Sequence, residues 1–310
     1  MPAQRHPLPD GRWHFQHGPM DIVIGADGDP AAVHVAHEAA WHRFQPLLDE
    51  LVGELPLLRA PVTGADVHAC PLTGVVARRM WRACHPFRAG FITPMAAVAG
   101  AVAEELIACY QRDGVSRAWV NNGGDIAMHL APRQTLRVGL YADMARLDAR
   151  QLRQGVTLDG RFTVSTAMPV RGVATSGWRG RSFSLGIADS VTVLARTAAA
   201  ADAAATVIAN AVDIDDPRIV RRPACELKDD TDLGTIPVTV DVPPLGAECA
   251  QRALRAGVKR ARELRNAGLV WSAALVCQGL LLTTDDPVAV RLDGTGAEHA
   301  ARPVVGSVFA

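Results

Sequence analysis

Three short segments carry residues able to do chemistry. In Asp202-Ala203-Ala204-Ala205-Thr206 a carboxylate and a hydroxyl stand four residues apart. On a helix that spacing puts both on one face, one turn apart. They would then offer two hard oxygen ligands to Mg²⁺, which fills the rest of its shell with water and substrate phosphates. The same residues also fit an exposed aspartate beside a threonine that bonds back to its own helix. In Trp119-Val120-Asn121-Asn122-Gly123-Gly124-Asp125-Ile126, Asn-Gly between apolar flanks signals a hairpin. Two adjacent glycines would expose backbone amides to a phosphate or a ring edge, and a bare tight turn would use them equally well. Thr175-Ser176-Gly177 offers two hydroxyls and an open amide, with Arg179 and Arg181 nearby to neutralise an anion; a solvated loop has the same composition. Ser176 does not sit in a GxSxG elbow, so nothing marks it as a nucleophile.

Other chemistry is disfavoured. His34, His37, His42 and Glu38 cluster in one stretch, but His-Val-Ala-His-Glu matches neither HExxH nor HxxEH, and a solvated or interface face is expected. There is no P-loop and no GxGxxG after a strand. The six cysteines, at 70, 84, 109, 225, 249 and 277, show no CxxC spacing and make no disulfide framework in 310 residues. Cys109 and Cys277 lie in apolar runs, where a free cysteine behaves as a small hydrophobe. Lysine plus arginine balances aspartate plus glutamate, 32 against 32, so no global field draws the chain to nucleic acid or an anionic membrane. The first 20 residues have no apolar signal core and no lipobox cysteine, and no apolar run is long enough to span a bilayer. A cytoplasmic protein is expected.

The elements that must position these residues read as follows. A strand is predicted over 12–25, then a turn to Pro30 and an Ala-rich helix from Ala31 that Pro46 kinks or ends. Helix is predicted over 75–84, closed by His85-Pro86, and again from Thr93-Pro94 to 108, with Thr93 as N-cap. Short strand-type runs follow at 117–121, 135–141, 162–166, 171–175, 182–187 and 191–194. A helix from Thr197 to about 212 carries Asp202 and Thr206. After a Pro- and Asp-rich loop come a helix over 250–266, an apolar strand pair over 269–282, and a loop-like tail over 286–310. Helices, a strand meander, then more helices and strands indicate α+β rather than a regular βαβ array.

The order of the motifs resembles ApbE-type FAD:protein FMN transferases. Those carry N-x-G-G-D, then T-S-G, then S-V-T-V, then a helix with D-A-x-A-T. Here stand Asn121-Asn122-Gly123-Gly124-Asp125, Thr175-Ser176-Gly177, Ser190-Val191-Thr192-Val193 and Asp202-Ala203-Ala204-Ala205-Thr206. The nearer likeness is to the shorter UPF0280 family, with P-M-A-A-V-A-G as Pro94 to Gly100 and G-x-S-x-S-x-G-x-A-D as Gly180 to Asp189. Two transferase features are missing. No lysine stands between Met95 and Gly100, where transferases have G-x-x-x-K-G, and no H-x-x-D-P-x-T-G segment lies between the T-S-G and S-V-T-V motifs.

The resemblance implies an α+β, ApbE-like fold with a mixed or antiparallel sheet core flanked by helices, as one domain over 1–310 or two intimately joined lobes. It implies a cleft for FAD or FMN lined by Pro94, Met95, Asn122, Gly123, Gly124, Thr175, Ser176 and Gly177, with Asp125 orienting a ring or ribose group and Mg²⁺ at Asp202 and Thr206. The expected function is flavin-nucleotide binding, with Mg²⁺-dependent chemistry at a pyrophosphate and poor FMN transfer, on a transferase- or hydrolase-type enzyme. An enzyme for another heterocycle, such as a pterin-like compound, and a non-catalytic flavin carrier or assembly factor are the alternatives. The expected partner is a phosphorylated small molecule rather than nucleic acid or membrane; a homo-oligomer is compatible with the sequence.

Overall fold

The computed structural model describes residues 2–140, 160–285 and 290–291. Ten strands form one sheet in the order β1-β2-β3-β4-β5-β8-β9-β12-β13-β14, and every pairing in it is antiparallel. The strands are β1 (Gln4–Pro7), β2 (Trp13–His17), β3 (Met20–Gly28), β4 (Val115–Asn122), β5 (Asp125–Leu130), β8 (Gly172–Ser176), β9 (Ser190–Ala195), β12 (Ser272–Cys277), β13 (Leu280–Thr283) and β14 (Val290–Arg291). Two further pairs stand apart, β6 (Thr135–Leu140) with β7 (Gly160–Ser165), and β10 (Val220–Pro223) with β11 (Pro237–Asp241). The helices are α1 (Pro30–Phe44), α2 (Leu47–Gly53), α3 (Leu55–Leu58), α4 (Val75–Cys84), α5 (Val98–Ile107), α6 (Ala198–Ala211) and α7 (Ala247–Asn266).

Side-chain alternation sorts the central strands into two cores. Ala118, Val120, Ala127, Ala174, Val191 and Val193 face the helices and join the main core. Met128, Leu130, Val173 and Leu194 face the other way, under Leu136, Val138 and Val164 of β6 and β7. A strand covered on both faces should be apolar throughout, and all six residues of β9 are buried.

The Ala-rich composition of α6 lets it sit deep, with Ala203, Ala204 and Ala205 buried against the sheet and α5. Gly100 allows α5 to approach so closely that a Cβ there would lie 2.3 Å from the Ala198 carbonyl oxygen. The two helices also cap each other. The residue at the N-cap of α5, Ala97, has no capping side chain, and Asp202 of α6 accepts from the Gly100 amide at 2.9 Å instead. In return Glu104 of α5 accepts from the Ala199 amide, beside the Thr197 hydroxyl, which accepts from Ala200. First-turn amides have no partner within their own helix, and a carboxylate also suits the positive end of the helix dipole.

Several expected elements differ. Residues 12–25 form two strands, and β3 continues to Gly28 because Ala26, Asp27 and Gly28 pair with Ala118, Arg117 and Val115. The run 182–187 is no strand. It docks on the end of α6, where Asn210 accepts from the Leu185 amide at 2.9 Å and the Val212 carbonyl from Ile187 at 2.8 Å. Thr93 makes no side-chain cap; its hydroxyl donates to Asp232, and residues 94–97 form a 3₁₀ turn before α5. The histidine stretch is split: His34 and His42 are exposed, whereas His37 is buried against Tyr110, its Nδ1 2.7 Å from the phenol oxygen. Within the expected 286–310 tail, Val290–Arg291 pairs with β13; the remainder lies outside the described residues. Among those described, no helix is long and apolar enough to cross a membrane.

Candidate functional site

The β4–β5 hairpin turns on Gly123 and Gly124, whose φ angles of +65° and +110° suit glycine. The hairpin brings Asn122 and Asp125 into register on the helix-facing side of the sheet. Asn122 is buried there and its amide donates to the Ala99 carbonyl at 3.2 Å. Asp125, 7 % exposed, accepts from the Thr175 amide at 3.1 Å. Its carboxyl group meets that of Asp202 within hydrogen-bonding reach.

Four sequence segments therefore converge, around 94–100, 122–125, 175–177 and 202–206. Burial pushes the pKa of Asp125 above the usual carboxylate range, and the Thr175 amide and the Arg181 charge only partly oppose that. Burial also drives Asp202 upward, and the neighbouring Asp125 charge adds to it, against the pull of the Gly100 and Ala99 amides. Two carboxyl groups so placed hold a proton between them when nothing else neutralises them. The buried Cys84 thiol stands near enough to feel the Asp202 charge; its own pKa is raised, chiefly by desolvation.

The remaining residues divide by geometry. Met95 and Ser176 are half-buried, and Pro94 is buried with its carbonyl 3.9 Å from the Cys84 sulfur. Thr206 is half-buried, one turn after Asp202 on α6. The Gly123-Gly124 turn does not present two open amides, because Gly124 donates to the Asn121 side chain at 2.8 Å. Thr175 and Ser176 do not act as a pair: the Thr175 hydroxyl lies 2.9 Å from that of Thr192, on the β6–β7 side, and Ser176 faces the helices. Gly177 closes the approach of the strand to the Asp189 backbone; a Cβ there would meet the Asp189 carbonyl oxygen at 2.3 Å. Arg179 lies over the Trp178 ring at 4.8 Å, whereas Arg181 reaches back to the hairpin turn.

Sequence reasoning placed Asp125 against a ring or ribose and did not pair it with Asp202. The strand alternation held the signal, since Asp125 shares the helix-facing parity of Ala127. Among the described residues no group of three or more His, Cys, Asp or Glu side chains is placed to hold a metal. A cation here would rest on two carboxylates, a hydroxyl and non-protein oxygens. That donor set fits Mg²⁺, which takes oxygen ligands and keeps several waters.

The family model "AbpE bacteria" matches residues 5–284. A UPF0280 protein of Methanopyrus kandleri is 38% identical over 213 residues, covering 68% of this chain and 78% of its own. This chain belongs to the UPF0280 family of ApbE-like proteins. A second UPF0280 protein, from Methanosarcina acetivorans, is 32% identical over 203 residues, or 65% of this chain and 72% of that one. Among solved structures, this UPF0280 chain is similar to an ApbE protein of Thermotoga maritima at a TM-score of 0.42 and 12% identity, covering 93% and 96% of the two chains. For the Pseudomonas stutzeri flavinyl transferase ApbE the values are 0.37 and 12%, over 91% and 92%.

Proposed function

We propose that this UPF0280 protein is a cytoplasmic binder of flavin nucleotides, FAD or FMN, that works with Mg²⁺ held by Asp202, Asp125 and Thr206. The observation that carries the reading is the Asp125–Asp202 carboxyl pair, assembled from the β4–β5 hairpin and α6, with Asp125 buried and Asp202 half-buried. Two like charges at one buried place are costly unless a proton or a cation sits with them. When bound, Mg²⁺ would neutralise phosphate charge and polarise a phosphoryl oxygen. The chain's own residues do the rest. Asp202 is held by α5 amides and Asp125 by the Thr175 amide.

Binding is favoured over efficient FMN transfer. The interval between Gly177 and Ser190 contains no histidine, threonine or lysine that could serve the carboxyl pair. Acid–base help in a transfer step is worth roughly 10²–10⁴-fold. The test is calorimetry of FAD and FMN with and without Mg²⁺ on the wild type, Asp202→Asn and Asp125→Asn. Tight, Mg²⁺-dependent binding that both variants lose supports the reading; binding indifferent to Mg²⁺ and to both changes overturns it.

A further inference from the structure

The loop 177–187 is fixed at both ends. Trp178 donates to the Ala188 carbonyl at 3.0 Å, and Leu185 donates to Asn210 of α6. Between these anchors Arg181 extends to the hairpin turn, so close that a Cβ on Gly123 would lie 1.6 Å from its Nη2. The turn thus needs glycine twice over, for its φ of +65° and for the guanidinium resting on it. The Arg181 charge also acts on Asp125, yet among the described residues the guanidinium forms no ion pair. It is an exposed planar cation held at the rim of a buried acidic pair.

We propose that Arg181 is the anion receptor of this site: its guanidinium takes the phosphate of the ligand and so selects a phosphomonoester or pyrophosphate over an uncharged ring system. A planar fork of donors matches phosphate oxygens two at a time. Arg181 and a bound cation would supply the positive charge that the neutral chain as a whole lacks. The proposal rests on the carboxyl pair being a ligand site and adds which atoms read the ligand's charge.

The test measures FMN, riboflavin and inorganic pyrophosphate, each with Mg²⁺, against the wild type, Arg181→Met, Arg181→Lys and Gly123→Ala, with a melting curve for each variant. A hydrogen-bonded charge pair at an exposed rim should give a loss of about tenfold. FMN and pyrophosphate should weaken by that factor in Arg181→Met, and less in Arg181→Lys, while riboflavin binding stays unchanged. Gly123→Ala retains the arginine but displaces its guanidinium, and should reproduce the selective loss. Equal loss for riboflavin and FMN, or undiminished FMN and pyrophosphate binding in Arg181→Met, overturns the role of Arg181 and leaves the flavin reading standing. Pyrophosphate binding that depends on Arg181 without any flavin affinity overturns the flavin reading and supports the anion receptor. Absence of binding by all three probes to the wild type overturns both.

Discussion

His37 shows how a buried side chain makes stability depend on pH. Desolvation on α1 lowers its pKa from 6.5 to about 4, and the nearby Arg5 and His34 charges act in the same direction. The folded protein therefore keeps His37 neutral, hydrogen-bonded to Tyr110, while the unfolded chain takes up a proton below 6.5. Stability from this residue is complete above pH 6.5 and is lost as pH falls towards 4. One pKa unit corresponds to about 1.4 kcal/mol, so the loss by pH 5 should be about 2 kcal/mol. Urea unfolding of the wild type at pH 7.5 and 5 should show that fall, and His37→Gln should flatten it; an equal fall in the variant would assign the effect elsewhere. From sequence this histidine looked solvated because its spacing matched no metal motif, and nothing local revealed that Tyr110 lies against it. Asp202 was legible as a chemical residue from Asp-x-x-x-Thr, but not as the cap of α5. The Gly100 amide it accepts from predicts a cost of about 1 kcal/mol for Asp202→Ala.

At the scale of elements, the α5–α6 pair explains why small residues crowd both sequences. Gly100 sits in α5, and replacing a helical glycine by alanine normally stabilises by about 1 kcal/mol. Here the added methyl would meet the Ala198 backbone at 2.3 Å, and backbone at a helix start cannot swing aside as a side chain can. Overpacking costs about 1–3 kcal/mol and should win. Gly100→Ala is therefore expected to lower the melting temperature and, by moving Asp202 off its amide, to reduce Mg²⁺-dependent ligand binding. A stabilised variant with normal binding would show that the helices have slack. The helices over 75–84 and from Thr197 onward were readable because their signals are local: His85-Pro86 closes the first, and at the start of the second Thr197 does accept from Ala200. The β4–β5 hairpin was readable from Asn-Gly-Gly. The run 182–187 misled because Ser-Phe-Ser-Leu alternates like a strand, while its amides and carbonyls are claimed by Asn210, Val212 and Thr239. The β10–β11 pair escaped notice within a Pro- and Asp-rich stretch.

For the whole molecule, the carboxyl pair sets a linkage between ligand, cation and pH. Both folded pKa values lie above the ordinary 3.8 of an aspartate. A raised carboxylate pKa gives stability that is complete below the unfolded value and is lost as pH climbs through the folded one. The unliganded protein should therefore weaken on that account as pH rises past the ordinary carboxylate range, when the shared proton leaves. A divalent cation binds only the ionised pair, so its stabilisation grows over the same window in which the proton's is lost. Ligand held at about 100 times its dissociation constant adds about 2.7 kcal/mol. With Mg²⁺ and FAD fixed in excess, the rise in melting temperature should be several degrees and larger at pH 8 than at pH 6. Asp202→Asn keeps an acceptor for α5 and removes the charge, so it should raise the melting temperature of the unliganded protein at pH 8 and abolish the extra gain from Mg²⁺. A Mg²⁺ and FAD shift that is the same at both pH values, or that survives in Asp202→Asn, would separate ligand binding from the Asp125–Asp202 pair.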